Sequence, residues 1–260
     1  MTKTKIEWAD YTFNPITGCL RGCEYCYARG IARRFAKDER YTPVDNYTNK
    51  RVTISGKICE FGVVHNPLDE KRMSPYPYGF DPTFHRYRLG EPAKVKKPQT
   101  IFVGSMTDMF GGWVPDEWIK AVFEACEAAP WHRYLFLTKN SSRYTELWQK
   151  GIIQPRHDNI WLGSTRTAER DEYFFSIWCN TFISIEPIQE RVCIKAATVN
   201  RFIDFVIVGA ETGNRKGKVM PKREWIESIA EQCRDANVPL FMKNSLRGLM
   251  GEDFVQETAW

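Results

Sequence analysis

In the stretch Asn14-Pro-Ile-Thr-Gly-Cys-Leu-Arg-Gly-Cys-Glu-Tyr-Cys-Tyr-Ala28, Cys19, Cys23 and Cys26 are spaced C-x3-C-x2-C. Thiolates this close in sequence can converge on one soft metal centre, zinc or an iron–sulfur cluster. Structural zinc sites close with four ligands, usually in two C-x2-4-C or H-x3-5-H pairs. A fully ligated [4Fe–4S] cluster also takes four cysteines. Here the local count stops at three, and no partner C-x2-C or H-x3-H follows. A cubane held by three cysteines leaves one iron open, as catalytic metal centres do for substrate.

The motif, with Tyr25 just before its third cysteine and Tyr27 just after, resembles that of the radical S-adenosylmethionine superfamily. The wording Gly-Cys-x-x-Gly-Cys-x-Tyr-Cys-Tyr-Ala is closest to the DNA-repair photolyase-like branch that includes spore photoproduct lyase. Residues 78–85, 101–108, 135–139 and 206–213 are similar to a bacteriophage and bacterial family related to that branch. The resemblance implies a [4Fe–4S] cluster on Cys19, Cys23 and Cys26, with S-adenosylmethionine chelating its open iron through amino and carboxylate groups. Reductive cleavage would give a 5′-deoxyadenosyl radical that abstracts hydrogen from substrate. It also implies a flavodoxin- or ferredoxin-type electron donor and a nucleic acid or nucleotide substrate. Two other readings stay open. One is a zinc or iron–sulfur module that binds nucleic acid without catalysis, with Cys59 or a histidine as fourth ligand. The other is a cluster used for sensing or electron transfer.

The elements that must position such a loop can be read from the pattern of apolar runs. Residues 1–13 read as a lead-in and first strand, broken by Asn14-Pro15. From Cys26 to Lys37 the spacing is helical, with Ala28, Ile31, Ala32 and Phe35 on one side. Residues 38–98 mix proline, glycine, tyrosine and charge, and read as an irregular insertion near the mouth of a barrel. His65 and His85 there read as surface or packing residues. Beyond residue 99, strand patterns at 100–104, 134–137, 159–163, 181–185, 205–209 and 239–242 alternate with helical ones at 116–129, 142–149, 169–177 and 222–237. Alternating strands and helices indicate βα units and a parallel sheet of about seven strands. No G-x-G-x-x-G follows a strand, which argues against paired Rossmann halves. The fold class expected is α/β: one domain over residues 1–260, a complete or partial (β/α) TIM-type barrel with parallel strands.

Working residues of such barrels sit at the C-terminal ends of strands. These ends carry Ser105, Thr107 and Asp108, then Thr138 and Lys139, then Ser164, Thr165 and Arg166, then Glu186, Glu211, Lys243 and Asn244. On the resemblance, Ser105, Thr107 and Asp108 are candidates for the amine of S-adenosylmethionine, and Lys139 or Arg166 for its carboxylate. Ser164 or Glu186 would take its ribose, and Tyr25 would lie against its adenine. Glu211 and Lys243 are candidates to face substrate.

The bulk composition is compatible with this reading. Hydrophobic residues make up 43% of the 260, ordinary for a globular chain. No apolar run approaches the ~18 residues of a membrane span, and the N-terminus has no secretory h-region. A cytoplasmic, reducing location is expected, where a tight cysteine cluster reads as metal or redox chemistry. The net charge of +5 permits an anionic partner without requiring one. Cys126 and Cys233 fall in apolar helical patterns and read as buried.

Overall fold

In a computed structural model of the chain, residues 1–36, 65–66, 69–73, 76, 79–154, 158–194 and 202–260 are described. For 65–66 and 69–73 only the backbone is described, so the side chain of His65 lies outside the described residues, as do Cys59 and the whole of 37–64.

The strands are β1 (Thr2–Lys3), β2 (Tyr11–Phe13), β3 (Ile16–Thr17), β4 (His65–Asn66), β5 (Asp69–Met73), β6 (Thr83–Phe84), β7 (Thr100–Val103), β8 (Arg133–Thr138), β9 (Ile160–Thr165), β10 (Asn180–Ile185), β11 (Phe205–Val208) and β12 (Leu240–Met242). Eight form one sheet, in the order β1-β2-β7-β8-β9-β10-β11-β12. β1 is antiparallel to β2, and every other pairing is parallel. Each strand after β2 adds beside the previous one, so the sheet is wound in one direction. The insertion contributes the antiparallel pair β4–β5, the strand β6, which pairs antiparallel with β3, and the short helix α2 (Glu91–Lys94).

The side-chain period of two divides each strand between two environments. On one face Ile101, Val103, Tyr134, Phe136, Ile160 and Leu162 join the core under the helices α3 (Asp116–Glu127) and α4 (Ser142–Gln149). Ile183, Ile185, Val206, Val208, Leu240 and Met242 do the same under α5 (Arg223–Ala236). The helix α3 buries Trp118, Ile119, Val122, Phe123 and Cys126, a stripe at helical spacing, while Asp116 and Glu117 sit favourably in its first turn. Asp116 also ties α3 to α4 through Arg143 and Lys150. Each fully buried side chain of Phe136 type contributes about 2 kcal/mol.

On the other face Phe102, Leu135, Trp161, Phe182, Phe205, Ile207 and Phe241 form a separate core with Trp8, joined by Trp260. Trp8 lies 4.8 Å from Phe102 on β7 and 6.4 Å from Phe182 on β10, centroid to centroid. A flat sheet would hold those strands about 14 Å apart, so one ring reaching both shows the sheet curling round this face. Gly163 permits the packing. The ring of Phe182, its register partner, would lie 2.2 Å from a Cβ there. Between the first and last strands, Glu7 accepts the backbone N–H of Asn244 at 2.7 Å and the side chain of Gln256 at 3.2 Å. The segment leading to β2 is thereby stitched to the end of β12. Among the described residues no β-ladder closes the sheet.

One expected helix is absent. Residues 169–177 are irregular because tertiary partners take the backbone groups that a helix would use. The guanidinium of Arg166 donates to the carbonyls of Glu169, Asp171 and Cys193, and Ser164 Oγ accepts from Phe174 N–H. No helix among the described residues is long and apolar enough to cross a membrane.

Candidate functional site

The C-terminal ends of the parallel strands surround a cavity of about 840 Å³, within the ~300–1,000 Å³ usual for small-molecule sites. Cys19, Cys23 and Cys26 line one side of it, on the loop between β3 and the helix α1 (Tyr27–Ala36). All three are free, half-buried thiols.

Two clamps fix this loop. From the insertion, Phe80 O accepts the Cys19 N–H at 2.9 Å, and the carbonyls of Phe80 and Asp81 press on Gly18. With φ +87° and the Asp81 oxygen 2.2 Å from where a Cβ would stand, position 18 accepts only glycine. From the turn after β7, Met106 O accepts the Gly18 N–H at 3.0 Å, and Thr107 Oγ1 donates to Gly18 O at 2.6 Å. Asn14 is the hinge of both clamps. Its side chain bonds the Ser105 hydroxyl and accepts from Met106 N–H, and its carbonyl accepts from Arg88. Ser105 O accepts the Tyr27 hydroxyl at 2.6 Å, and burial raises the pKa of that phenol. Ser105 and Thr107 therefore hold the loop in place, and their hydroxyls are already committed within the protein.

Asp108 is buried and fully engaged. It accepts from the Thr138 hydroxyl at 2.6 Å and from the Lys139 N–H at 3.2 Å, and pairs with Arg21 Nε at 3.3 Å. Beside it Lys139 points into the cavity, its ammonium 5.4 Å from the centre of the Tyr25 ring. Burial lowers the Lys139 pKa, against the pull of Cys23 and of two carboxylates. Burial, with the neighbouring Cys23, pushes the Tyr25 phenol up to about 12.

The far side carries Glu186, Glu211 and Lys243. Lys243 pairs with Glu186, its stem lying over Gly209, where a Cβ would stand 2.9 Å from it. Glu211 is gripped by Arg215 at 2.6 and 2.8 Å, which holds the carboxyl below its ordinary pKa. Arg215 also reaches Glu24 of the cysteine loop at 3.4 Å, bridging the mouth.

Two candidates lie elsewhere. Ser164 is fully buried on the helix-covered face and does not line the cavity; Thr165, one residue on, does. Arg166 is spent on backbone carbonyls and stacks on Tyr173. His85 is a packing residue, bonded to Thr17 at 2.8 Å and held by burial to a pKa of about 3. Cys126 and Cys233 are buried as expected, and burial raises both thiols. Asn14, Arg21, Arg215 and Ser184 also belong to the site. Asn14 and Arg21 show no local signal because they act through partners distant in sequence, Arg215 pairs with Glu211 at a local i, i+4 spacing, and Ser184 is placed in the site by strand parity alone.

The donor set suits a soft metal or cluster. Three thiols face one cavity, and two already accept N–H bonds, Cys19 from Arg21 at 3.5 Å and Cys26 from Arg29 at 3.3 Å. Such bonds favour the thiolate. The buried Nε of Arg29 has no partner. Burial raises the Cys19 pKa, so binding a metal there would displace a proton. Among the described residues no three His, Cys, Asp or Glu side chains are gathered to metal-binding distance. The sulfurs share a wall, and ligation would draw them together.

The chain belongs to the family described as protein of unknown function DUF5131, whose family model matches residues 3–248. No curated protein and no solved structure matches it.

Proposed function

We propose that this chain is a radical S-adenosylmethionine enzyme working in a reducing cytoplasm, built on a partial βα barrel. The observation that carries the reading is the placement of all three C-x3-C-x2-C thiols on the wall of one large cavity at the C-terminal strand ends. The one-directional strand order and the curled inner core support the barrel. What a [4Fe–4S] cluster and S-adenosylmethionine would supply there is reductive cleavage to a 5′-deoxyadenosyl radical for hydrogen abstraction.

In this reading the chain's own residues position and shield. Cys19, Cys23 and Cys26 hold the cluster, and the two clamps on Gly18 set the height of the loop. Asp108 orients Arg21 and Lys139 beside it. Lys139 is left for the nucleotide's carboxylate and Tyr25 for its adenine. Glu186 is placed for a ribose diol or a substrate group, with Lys243 at its side. Arg215, held between Glu211 and Glu24, narrows the mouth and limits access of water. The Glu211 carboxylate is occupied in that role, so Lys243 and Glu186 are the better candidates to meet substrate. An external one-electron donor of flavodoxin or ferredoxin type is required. A nucleotide or nucleic acid remains the substrate class proposed.

Anaerobic reconstitution tests the reading. The expected result is four iron and four sulfide per chain by analogy with a cubane's stoichiometry, with 5′-deoxyadenosine formed on adding reductant and S-adenosylmethionine. A Cys19/Cys23/Cys26→Ala variant should fold without binding iron. Tight zinc with no sulfide would favour a zinc module, and a cluster that leaves the nucleotide uncleaved would favour electron transfer or sensing.

A further inference from the structure

The register of the inner sheet face brings three polar side chains into a row. Thr165 of β9 is paired with Ser184 of β10, and Thr138 of β8 with Ser164 of β9. Lys139 therefore stands beside Thr165, one step past the end of that ladder. By strand parity Lys139, Thr165 and Ser184 all face inward, directly above the apolar layer of Leu137, Gly163 and Phe182. All three line the cavity.

What distinguishes this row is the absence of protein acceptors. Arg21, Arg215 and Lys243, which also line the cavity, are paired, with Asp108, Glu211 and Glu186 respectively. Among the described residues the Lys139 ammonium has the Tyr25 ring as its contact and no bonded carboxylate. Cys23 and two carboxylates lie near enough to act on it, and both carboxylates are occupied. Asp108 is held by Thr138, Arg21 and the Lys139 amide, and Asp171 by Thr167 and Ala168. Ser184 is 1% exposed, and its Oγ has no hydrogen-bond partner. A buried hydroxyl and a half-buried ammonium both left without acceptors are costly unless a ligand supplies them.

We propose that Lys139, Thr165 and Ser184 form an anion-binding row that takes a carboxylate or phosphate group of the cavity's ligand. One ammonium and two hydroxyls, on neighbouring strands about 4.8 Å apart, can meet separate oxygens of a single anionic group. The proposal rests on the reading above, in which Lys139 is left for the ligand, and extends it to Thr165 and Ser184 and to the anionic group that they take. The anion has two sources, the carboxylate of S-adenosylmethionine or a phosphate on a separate substrate.

Calorimetric titration of the full chain, without reconstitution, distinguishes them through two matched pairs: AMP against adenosine, and S-adenosylmethionine against its decarboxylated analogue. In at least one pair the anionic member should bind about tenfold more tightly, and Lys139→Met should abolish the difference. Thr165→Val and Ser184→Ala should each narrow it about threefold while the thermal midpoint is retained. A gap in the first pair assigns the row to a phosphate, and one in the second assigns it to the carboxylate. No gap in either pair, or a gap that survives Lys139→Met in folded protein, overturns the proposal. Because iron is not involved, failure of the cluster reading and failure of this one are separately visible.

Discussion

Thr107 and Thr165 both stand at the C-terminal end of an inner strand of the same sheet, and both line the same cavity. Their hydroxyls have opposite fates. Thr107 donates to Gly18 O at 2.6 Å and pins the cysteine loop, whereas Thr165, beside Lys139 and Ser184, bonds no protein group among the described residues. The contrast extends to each wall. On the cysteine side Asn14, Ser105, Thr107 and Asp108 satisfy one another and the backbone. Across the β8–β10 strand ends, polar groups are left open to the cavity. A polar residue at a strand end is thus weak evidence of ligand contact, and whether its hydrogen bonds are already taken is the stronger indicator. One wall holds the thiols still, and the other is free to read a ligand.

The largest effect should come from breaking the first wall at its tightest point. Gly18→Ala puts a Cβ against the Asp81 carbonyl and imposes a left-handed backbone on an L side chain. A loss of about 3 kcal/mol or more is expected, read as a lower urea midpoint. A midpoint equal to that of the parent would mean that the insertion does not press on the loop. Asp108→Ala should follow at about 2–3 kcal/mol, because it strands the buried Thr138 hydroxyl and the Lys139 amide. Asp108→Asn, which retains an acceptor, should recover part of that loss.

A pH titration probes the same wall without mutation. His85, on the short turn after β6, is held neutral by burial, with a pKa of about 3 against 6.5 for the free side chain. Below pH 6.5 the unfolded chain takes up a proton that the folded one refuses. The stabilisation is complete above that pH, shrinks as pH falls towards 3, and does not return at lower pH. Between pH 7 and pH 5 the loss should be about 2 kcal/mol. Urea unfolding at the two pH values checks this, with His85→Asn as the comparison. An equal pH slope in the variant would remove His85 as the source.

How far these walls were legible in the sequence differs. The short apolar runs located every strand from β7 to β12 to within two residues at either end, because βα units leave strands as uninterrupted apolar segments between turns. The helix at 142–149 has the expected bounds. The stretch 169–177 fooled the periodicity, since what unmade that helix was Arg166 and Ser164 bonding its backbone. The cysteine loop was placed correctly, after an early strand and into a helix, because its punctuation is local: Asn14-Pro15, Gly18 and then an amphipathic stretch. The role of its neighbours was not legible. Thr107 and Ser105 bond residues 89 and 91 positions away, a partnership that composition does not announce. Ser164, Thr165 and Arg166 all read as strand-end residues beyond a strand at 159–163, with Ser164 the candidate for the ribose. The strand continues to Thr165, and parity carries Ser164 to the helix side.

The finest test applies one substitution to both walls. Thr107→Val and Thr165→Val each exchange a hydroxyl for a methyl of nearly the same volume. At position 107 the exchange leaves Gly18 O without its donor, at a cost of about 1 kcal/mol. At position 165 no protein bond is lost, and the change should stay within about 0.5 kcal/mol. Ser184→Ala goes one step further. Its hydroxyl is buried with no partner, so removing it relieves an unmet desolvation cost and should leave stability unchanged or slightly raised. Equal losses at 107 and 165, or a Ser184→Ala variant destabilised by more than about 1 kcal/mol, would show that the second wall is also consumed by internal bonding. The division between a wall that holds and a wall that binds would then fail. If instead the three values fall in the stated order, the side chains that cost least to remove from the folded protein are the ones whose removal should be felt when a ligand is present.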